Sequence, residues 1–359
     1  MKIPHDERLK QRWHEYWALE NHDRPLVYVT APKSGTKAGP LTTHDHMRER
    51  WLDTEYQIAA NRAMLDNTYY GGEAYPHFSP NLGPDIFAAM CGLCTIEFGE
   101  STSWAVHETA SLSALGPIAF NENNPWYKKI AEMTSAFAAD SRGDYLVGIT
   151  DLHPGTDGLV SAIGPENLSM AIFDNPELIR PKIDEMAAVY RNILYRLNRI
   201  IAPCQEGSTN WMGVWHPGKA WYVVSSDFSC LVSEEDYNTY ILPGIREETR
   251  FLDASLYHLD GPGALRHLNT ILSLPELGGV QWVPGSGDAS AQGQIEVYRR
   301  IQAAGKCVVA YCGVDDIQPV CEALASEGLL IITHAQNQAE ADDIVRFTER
   351  IYKEKRQDK

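Results

Sequence analysis

An imidazole and a carboxylate stand two residues apart, just ahead of a glycine, in His258-Leu259-Asp260-Gly261. Alternate residues of an extended chain face the same way, so His258 and Asp260 can address one target at the end of the strand Ser255–His258. Gly261 then lets the chain turn sharply. Together the two groups suit a zinc ion with one coordination position left open. They equally suit general acid–base work without a metal, or a structural histidine–aspartate hydrogen bond. His334, at the end of the last strand, is the candidate third ligand. Cys312, closing the strand before it, is a candidate thiolate ligand.

Polar groups recur at other strand ends. Asp151 and His153 follow the run Tyr145–Thr150, Trp215 and His216 follow Ser208–Gly213, and Asp227 and Ser229 follow Ala220–Ser225. Asp151 and Asp227 are candidates for orienting a substrate or moving a proton. Any one of them alone reads equally well as a helix cap or a satisfied core group. Aromatic residues are dense nearby: Tyr69, Tyr70, Tyr75, Trp104, Trp211, Trp215, Trp221 and Trp282. Of the residues near the strand ends, Trp104, Trp215, His216, Trp282 and Tyr311 are the candidate substrate contacts, suited to a flat or apolar ligand. A lone C-x-x-C, Cys91 to Cys94, has no second pair and is expected to be two buried free thiols.

Something must hold these groups in place. Short, continuous apolar runs at Leu26–Thr30, Tyr145–Thr150, Ser208–Gly213, Ala220–Ser225, Ser255–His258, Gly279–Val283, Lys306–Tyr311 and Leu329–Thr333 read as strands buried on both faces. Helical periodicity separates most of them, at Trp126–Ala139, Pro165–Phe173, Pro176–Ala202, Glu234–Leu252, Ala264–Leu272, Ala291–Ala304, Ile317–Ser326 and Gln338–Tyr352. This alternation predicts an α/β chain, a (β/α)8 TIM barrel with an elaborated N-terminal region. An open doubly wound sheet is the alternative, but no G-x-G-x-x-G follows a strand and no phosphate-binding G-x-x-x-x-G-K-[ST] is present. Residues 1–145, with helices near Glu7–Leu19 and His46–Asp66, read as an irregular part covering the barrel mouth. The whole of 1–359 is expected to be one domain.

The balance of 31 basic against 48 acidic side chains, a formal charge of −17, excludes a basic face for nucleic acid or an anionic membrane. No apolar h-region stands in Met1–Arg8, no run spans a membrane, and seven cysteines make an odd count. A cytoplasmic protein with reduced thiols is expected.

Several stretches together resemble the uroporphyrinogen decarboxylase superfamily. They are Pro80-Asn81-Leu82-Gly83-Pro84 with Ala88 to Gly92, then Asp151 through Gly164-Pro165-Glu166-Asn167-Leu168 and Asp174-Asn175-Pro176-Glu177. Ser226-Asp227-Phe228-Ser229 with Val232-Ser233, and Tyr257 to Gly261 with Val280-Gln281-Trp282-Val283, complete the set. The resemblance implies a TIM barrel with its site at the C-terminal mouth. It also implies either porphyrinogen decarboxylation or zinc-dependent methyl exchange with a corrinoid protein. In the methyltransferase branch zinc is held by a His-x-Cys pair and a later Cys. Here His258 matches the histidine, while Asp260 and, roughly, His334 stand at the cysteine positions. That departure implies a harder site, suited to an oxygen- or nitrogen-bound methyl group rather than a thiol. The decarboxylases grip their substrate with an Arg-rich N-terminal segment; here the equivalent stretch, near Asp23-Arg24-Pro25-Leu26, offers only Arg24.

The leading expectation is therefore a zinc-dependent methyltransferase component acting on a small methylated substrate. Cobalamin would be carried by a separate corrinoid protein, since no D-x-H-x-x-G signature is present. The alternatives are a metal-free decarboxylase, with Arg266 or Lys219 as carboxylate clamp, and a non-catalytic ligand-binding barrel. A homodimer is compatible with any of them.

Overall fold

A strand that is apolar on both faces needs neighbours on both faces, and the chain supplies them by alternation. The computed structural model describes residues 6–35, 43–285 and 290–357. The residues read for a leader, 1–5, lie outside these. Eleven strands form: β1 Leu26–Pro32, β2 Thr68–Gly72, β3 His77–Phe78, β4 Cys94–Phe98, β5 Ser103–His107, β6 Leu146–Val147, β7 Trp221–Ser225, β8 Ala254–Asp260, β9 Gly279–Val283, β10 Cys307–Tyr311 and β11 Leu329–His334. Seven make one sheet in the order β2-β1-β11-β10-β9-β8-β7. Its members run parallel except β2, which pairs antiparallel to β1.

The gap between β1 and β7 is bridged by shorter pieces. β3 and β6 pair in parallel, and Ile149 forms a parallel bridge with Asn210. Side chains carry the joins: Tyr28 Oη donates to Tyr75 O at 2.6 Å, and Tyr222 Oη donates to Thr150 O at 2.6 Å. The result is a TIM-barrel-like arrangement, a large parallel sheet wrapped by helices. Among the described residues the backbone ladders do not close into a ring of eight strands.

Three local expectations are corrected. Ser208–Gly213 is not a through-going strand. It rises to Trp211, turns at Gly213 (φ 75°) and returns, so that Ser208 and His216 pair antiparallel. Residues 1–145 do not merely cover the mouth. They supply β1, β2 and β3, and the helix Glu7–Ala18 lies under the opposite end, where Cys307 Sγ, at the start of β10, donates to Tyr16 O at 3.3 Å. A helix over Gly155–Ile163 also forms ahead of Pro165–Asp174. Elsewhere, Glu7–Ala18 begins at Asp6, whose carboxylate accepts from the N–H groups of Arg8 and Leu9. No helix among the described residues is long and apolar enough to cross a membrane.

At the N-terminal end of β1, Arg24 donates from Nη1 and Nη2 to both oxygens of buried Glu73 at 2.8 and 2.7 Å. Val27 N–H donates to the same carboxylate at 2.8 Å, and Arg12 Nε reaches it at 3.4 Å. The pair ties the helix Glu7–Ala18, β1 and the loop after β2 together. Arg24 is thus a structural cation, far from the strand ends that carry the polar cluster.

Candidate metal and acid–base site at the carboxyl ends of the strands

Register decides which side chains meet. On β8, His258 pairs with Ser225 of β7 on one side and Gln281 of β9 on the other, so all three face the same way. Asp260 is two residues on and shares that face. Gly261 N–H donates to Val283 O at 2.9 Å, carrying the β8–β9 ladder past Asp260 and keeping it extended. Gly261 itself has φ 79°, a backbone that suits glycine, and the chain turns there.

Asp227 comes from the turn Asp227–Leu231 directly after β7. Its ligand atom and those of His258 and Asp260 lie within 4.8 Å of one another. Two carboxylates and one imidazole at that spacing are a donor set for a divalent cation of the zinc kind. His258 Nδ1 is 2.5 Å from Gln281 Oε1, which leaves Nε2 as the nitrogen with a lone pair to offer. Burial, and then the charge of Asp227, raise the pKa of Asp260, while His258 offsets part of the effect.

A second histidine sits beside this group. His153 Nε2 is 2.8 Å from Asp151 Oδ1, and its Nδ1 is 2.8 Å from Ser225 Oγ and 3.9 Å from Asp157 Oδ2. Burial disfavours its cation, but Asp151, Asp157 and Asp227 outweigh burial and hold its pKa up to about 10. His153 is therefore an imidazolium at neutral pH. Asp157, on the helix Gly155–Ile163, accepts from Asp227 N–H at 3.0 Å and Phe228 N–H at 3.1 Å. It anchors the turn that carries Asp227. Burial and the nearby Asp227 carboxylate push its own pKa up. Farther in, burial and Asp157 push Glu248 to about 8. A cavity of about 290 Å3 opens beside the cluster, bounded by Pro84, Asp85, His153, Asp157, Asp227 and Phe228. Trp211 stands beside both histidines, edge-on to His258 at 5.5 Å between ring centroids and 6.4 Å from the His153 ring.

The residues expected from sequence sort into two sets. Asp151, Asp227, His258 and Asp260 are brought together, and Tyr311 stands on the same face, two residues beyond the register partner of Gln281. His334 reaches the same end of the sheet but is three strands from β8, with Nδ1 3.1 Å from Thr30 Oγ1. It stands outside the group with donor atoms in mutual reach, and Asp227 takes the third place. Cys312 is next to inward-facing Tyr311 and so points to the other face, buried near Cys321; burial pushes its thiol well above the usual range. Trp282 likewise alternates with Gln281 and turns to the helical layer, donating from Nε1 to Gln294 Oε1 at 2.8 Å.

Trp215 and His216 lie at the N-terminal end of the strands. Trp215 Nε1 donates to Glu206 O at 3.0 Å, and Trp17 Nε1 donates to Trp215 O at 2.8 Å. Trp104 sits on the separate β4–β5 hairpin, 47% exposed. Cys91 and Cys94 are free thiols whose pKa values burial raises. Sequence reasoning did not single out Asp157, Ser225 or Gln281. The polar residue inside the apolar run Gly279–Val283 was the available signal for Gln281.

No protein-family model matches the chain, and no curated protein matches its sequence. Solved structures do match in fold. A methyltransferase from Methanosarcina mazei superposes with a TM-score of 0.61 at 12% sequence identity, covering 95% of this chain and 98% of that one. The likeness is one of architecture.

Proposed function

We propose that the chain is a metal-dependent methyltransferase component, moving a methyl group between a small O- or N-methylated substrate and a corrinoid carried by a separate protein. The observation that carries this reading is the grouping of Asp227, His258 and Asp260 at the carboxyl ends of β7 and β8. The donors fit a divalent cation in number, type and spacing, and they would hold zinc. When bound, zinc supplies a Lewis acid to the oxygen or nitrogen that bears the methyl group. The shared fold with a methyltransferase supports the reading.

The surrounding residues then have distinct tasks. Asp157 fixes the Asp227 turn through two backbone N–H groups. Asp151 orients His153, which keeps a cation among the carboxylates of Asp151, Asp157 and Asp227 and limits their mutual repulsion. Phe228, Val160 and Leu231 give the cavity apolar walls. A substrate carboxylate would meet Asp151, Asp157, Asp227 and Asp260, which disfavours decarboxylation. Of the two candidate clamps for such a reaction, Lys219 precedes β7 at the opposite end, and Arg266 donates to the carbonyls of Gly263 and Val232.

Metal analysis of anaerobically purified protein tests the proposal. One zinc, or another divalent ion, per chain is expected, with loss in His258→Ala. Absence of stoichiometric metal, together with no binding in a zinc titration, would sink it.

A further inference from the structure

Gln281 is buried at 3% exposure, on the strand next to His258 and in register with it. A buried amide has to place an acceptor and two donors. Its Oε1 lies 2.5 Å from His258 Nδ1. The two side chains thus join across the neighbouring strands β9 and β8.

The amide has two possible orientations with different consequences. With Oε1 toward His258, Nδ1 carries the proton and Nε2 keeps its lone pair. With the amide reversed, its N–H group would face Nδ1 and force the proton onto Nε2, which removes the lone pair that a cation needs. The first orientation is the one the atoms adopt.

We propose that Gln281 is a positioning residue that fixes the Nδ1–H tautomer of His258, so that Nε2 is presented to the space between Asp227 and Asp260. The inference deepens the metal-site reading and rests on it for its role, but not for its first test. Partners of this kind on a ligating histidine change metal affinity by roughly 10–100-fold.

Two measurements separate the failure of this inference from failure of the metal-site reading. The first uses the metal-free protein. Long-range proton–nitrogen NMR, at a pH where the His258 imidazole is neutral, should show the Nδ1–H tautomer in the wild type. Gln281→Leu should lose that preference while circular dichroism and Tm show an intact fold. An Nε2–H tautomer in the wild type, or the same tautomer in both proteins, overturns the inference whatever the metal does. The second is calorimetric titration with zinc. Gln281→Leu should weaken zinc binding by about tenfold or more, and Gln281→Glu should restore it through a stronger acceptor. Wild-type affinity in Gln281→Leu, alongside lost binding in His258→Ala, would remove Gln281 from the site while leaving the metal reading intact.

Discussion

His216 should behave as an acid-sensitive structural residue at the amino ends of the strands. Its Nδ1 accepts from Gly218 N–H at 2.9 Å, and its ring stands edge-on to Trp17 at 5.0 Å. Burial lowers its pKa to about 4, with Asp253 opposing the shift and His14 adding to it. The folded protein therefore resists a proton that the unfolded chain takes up near pH 6.5. Stability linked to this group is fully present above about pH 6.5 and is lost as pH falls from there toward 4. At pH 5 the two values translate into a loss of about 2 kcal/mol relative to neutral pH, an order-of-magnitude figure. His216→Asn keeps an acceptor for the Gly218 N–H and cannot titrate. Urea unfolding of both proteins at pH 7.5 and pH 5 isolates the effect, since every other titrating group is common to them. The wild type should lose about 2 kcal/mol more than the variant between the two pH values. Equal losses, within about 0.5 kcal/mol, would refute the assignment of His216 as a buried neutral acceptor. Zinc binding should be unchanged in His216→Asn.

Two more outcomes follow from particular contacts. Glu73→Ala leaves Arg24 and the Val27 N–H without their shared acceptor and should cost about 3–5 kcal/mol, read as a lowered urea midpoint and Tm. His334→Ala should leave zinc affinity within about twofold of the wild type, because its Nδ1 partner is Thr30 and not the cluster, whereas Asp227→Ala should lose binding by about tenfold or more. Zinc titration of the two variants in parallel checks the pair, and the reverse ranking would restore His334 as the third ligand.

The strands β7 to β11 were legible because each is a continuous apolar run, and burial on both faces leaves the sequence little other choice. The helix carrying Asp157 was not, for an equally physical reason. Gly155 and Gly158 lower its intrinsic propensity, so the segment reads as a loop. Packing overrides propensity there: a Cβ at position 158 would lie 2.9 Å from Met186 Sδ, so the helix needs glycine to approach its neighbour. The segment 208–216 failed in the opposite direction. Thr209, Trp211, Met212 and Val214 make it look like one strand. Gly213, however, takes φ 75° against His77, whose Cε1 would be 2.3 Å from an added Cβ, and the chain turns back there. Trp211 is left at the site, while Trp215 and His216 go to the far end. No pattern of apolar residues records such a reversal.

Two further misplacements come from one property of strands, the alternation of facing. Nearness to a strand end is not enough: Trp282 and Cys312 each stand one residue from the inward-facing position. The rule that joins His258 to Asp260 also puts Leu259 behind them, and Leu259 is fully buried. Applied across the β8–β9 register it selects Gln281 and rejects Trp282; on β10 it selects Tyr311 and rejects Cys312. The inward set is then imidazole, carboxylate, amide and phenol, with no thiol. Each of its oxygen and nitrogen groups is a hard or intermediate donor. On the proposed metal reading, that composition favours a substrate that presents an oxygen or nitrogen atom.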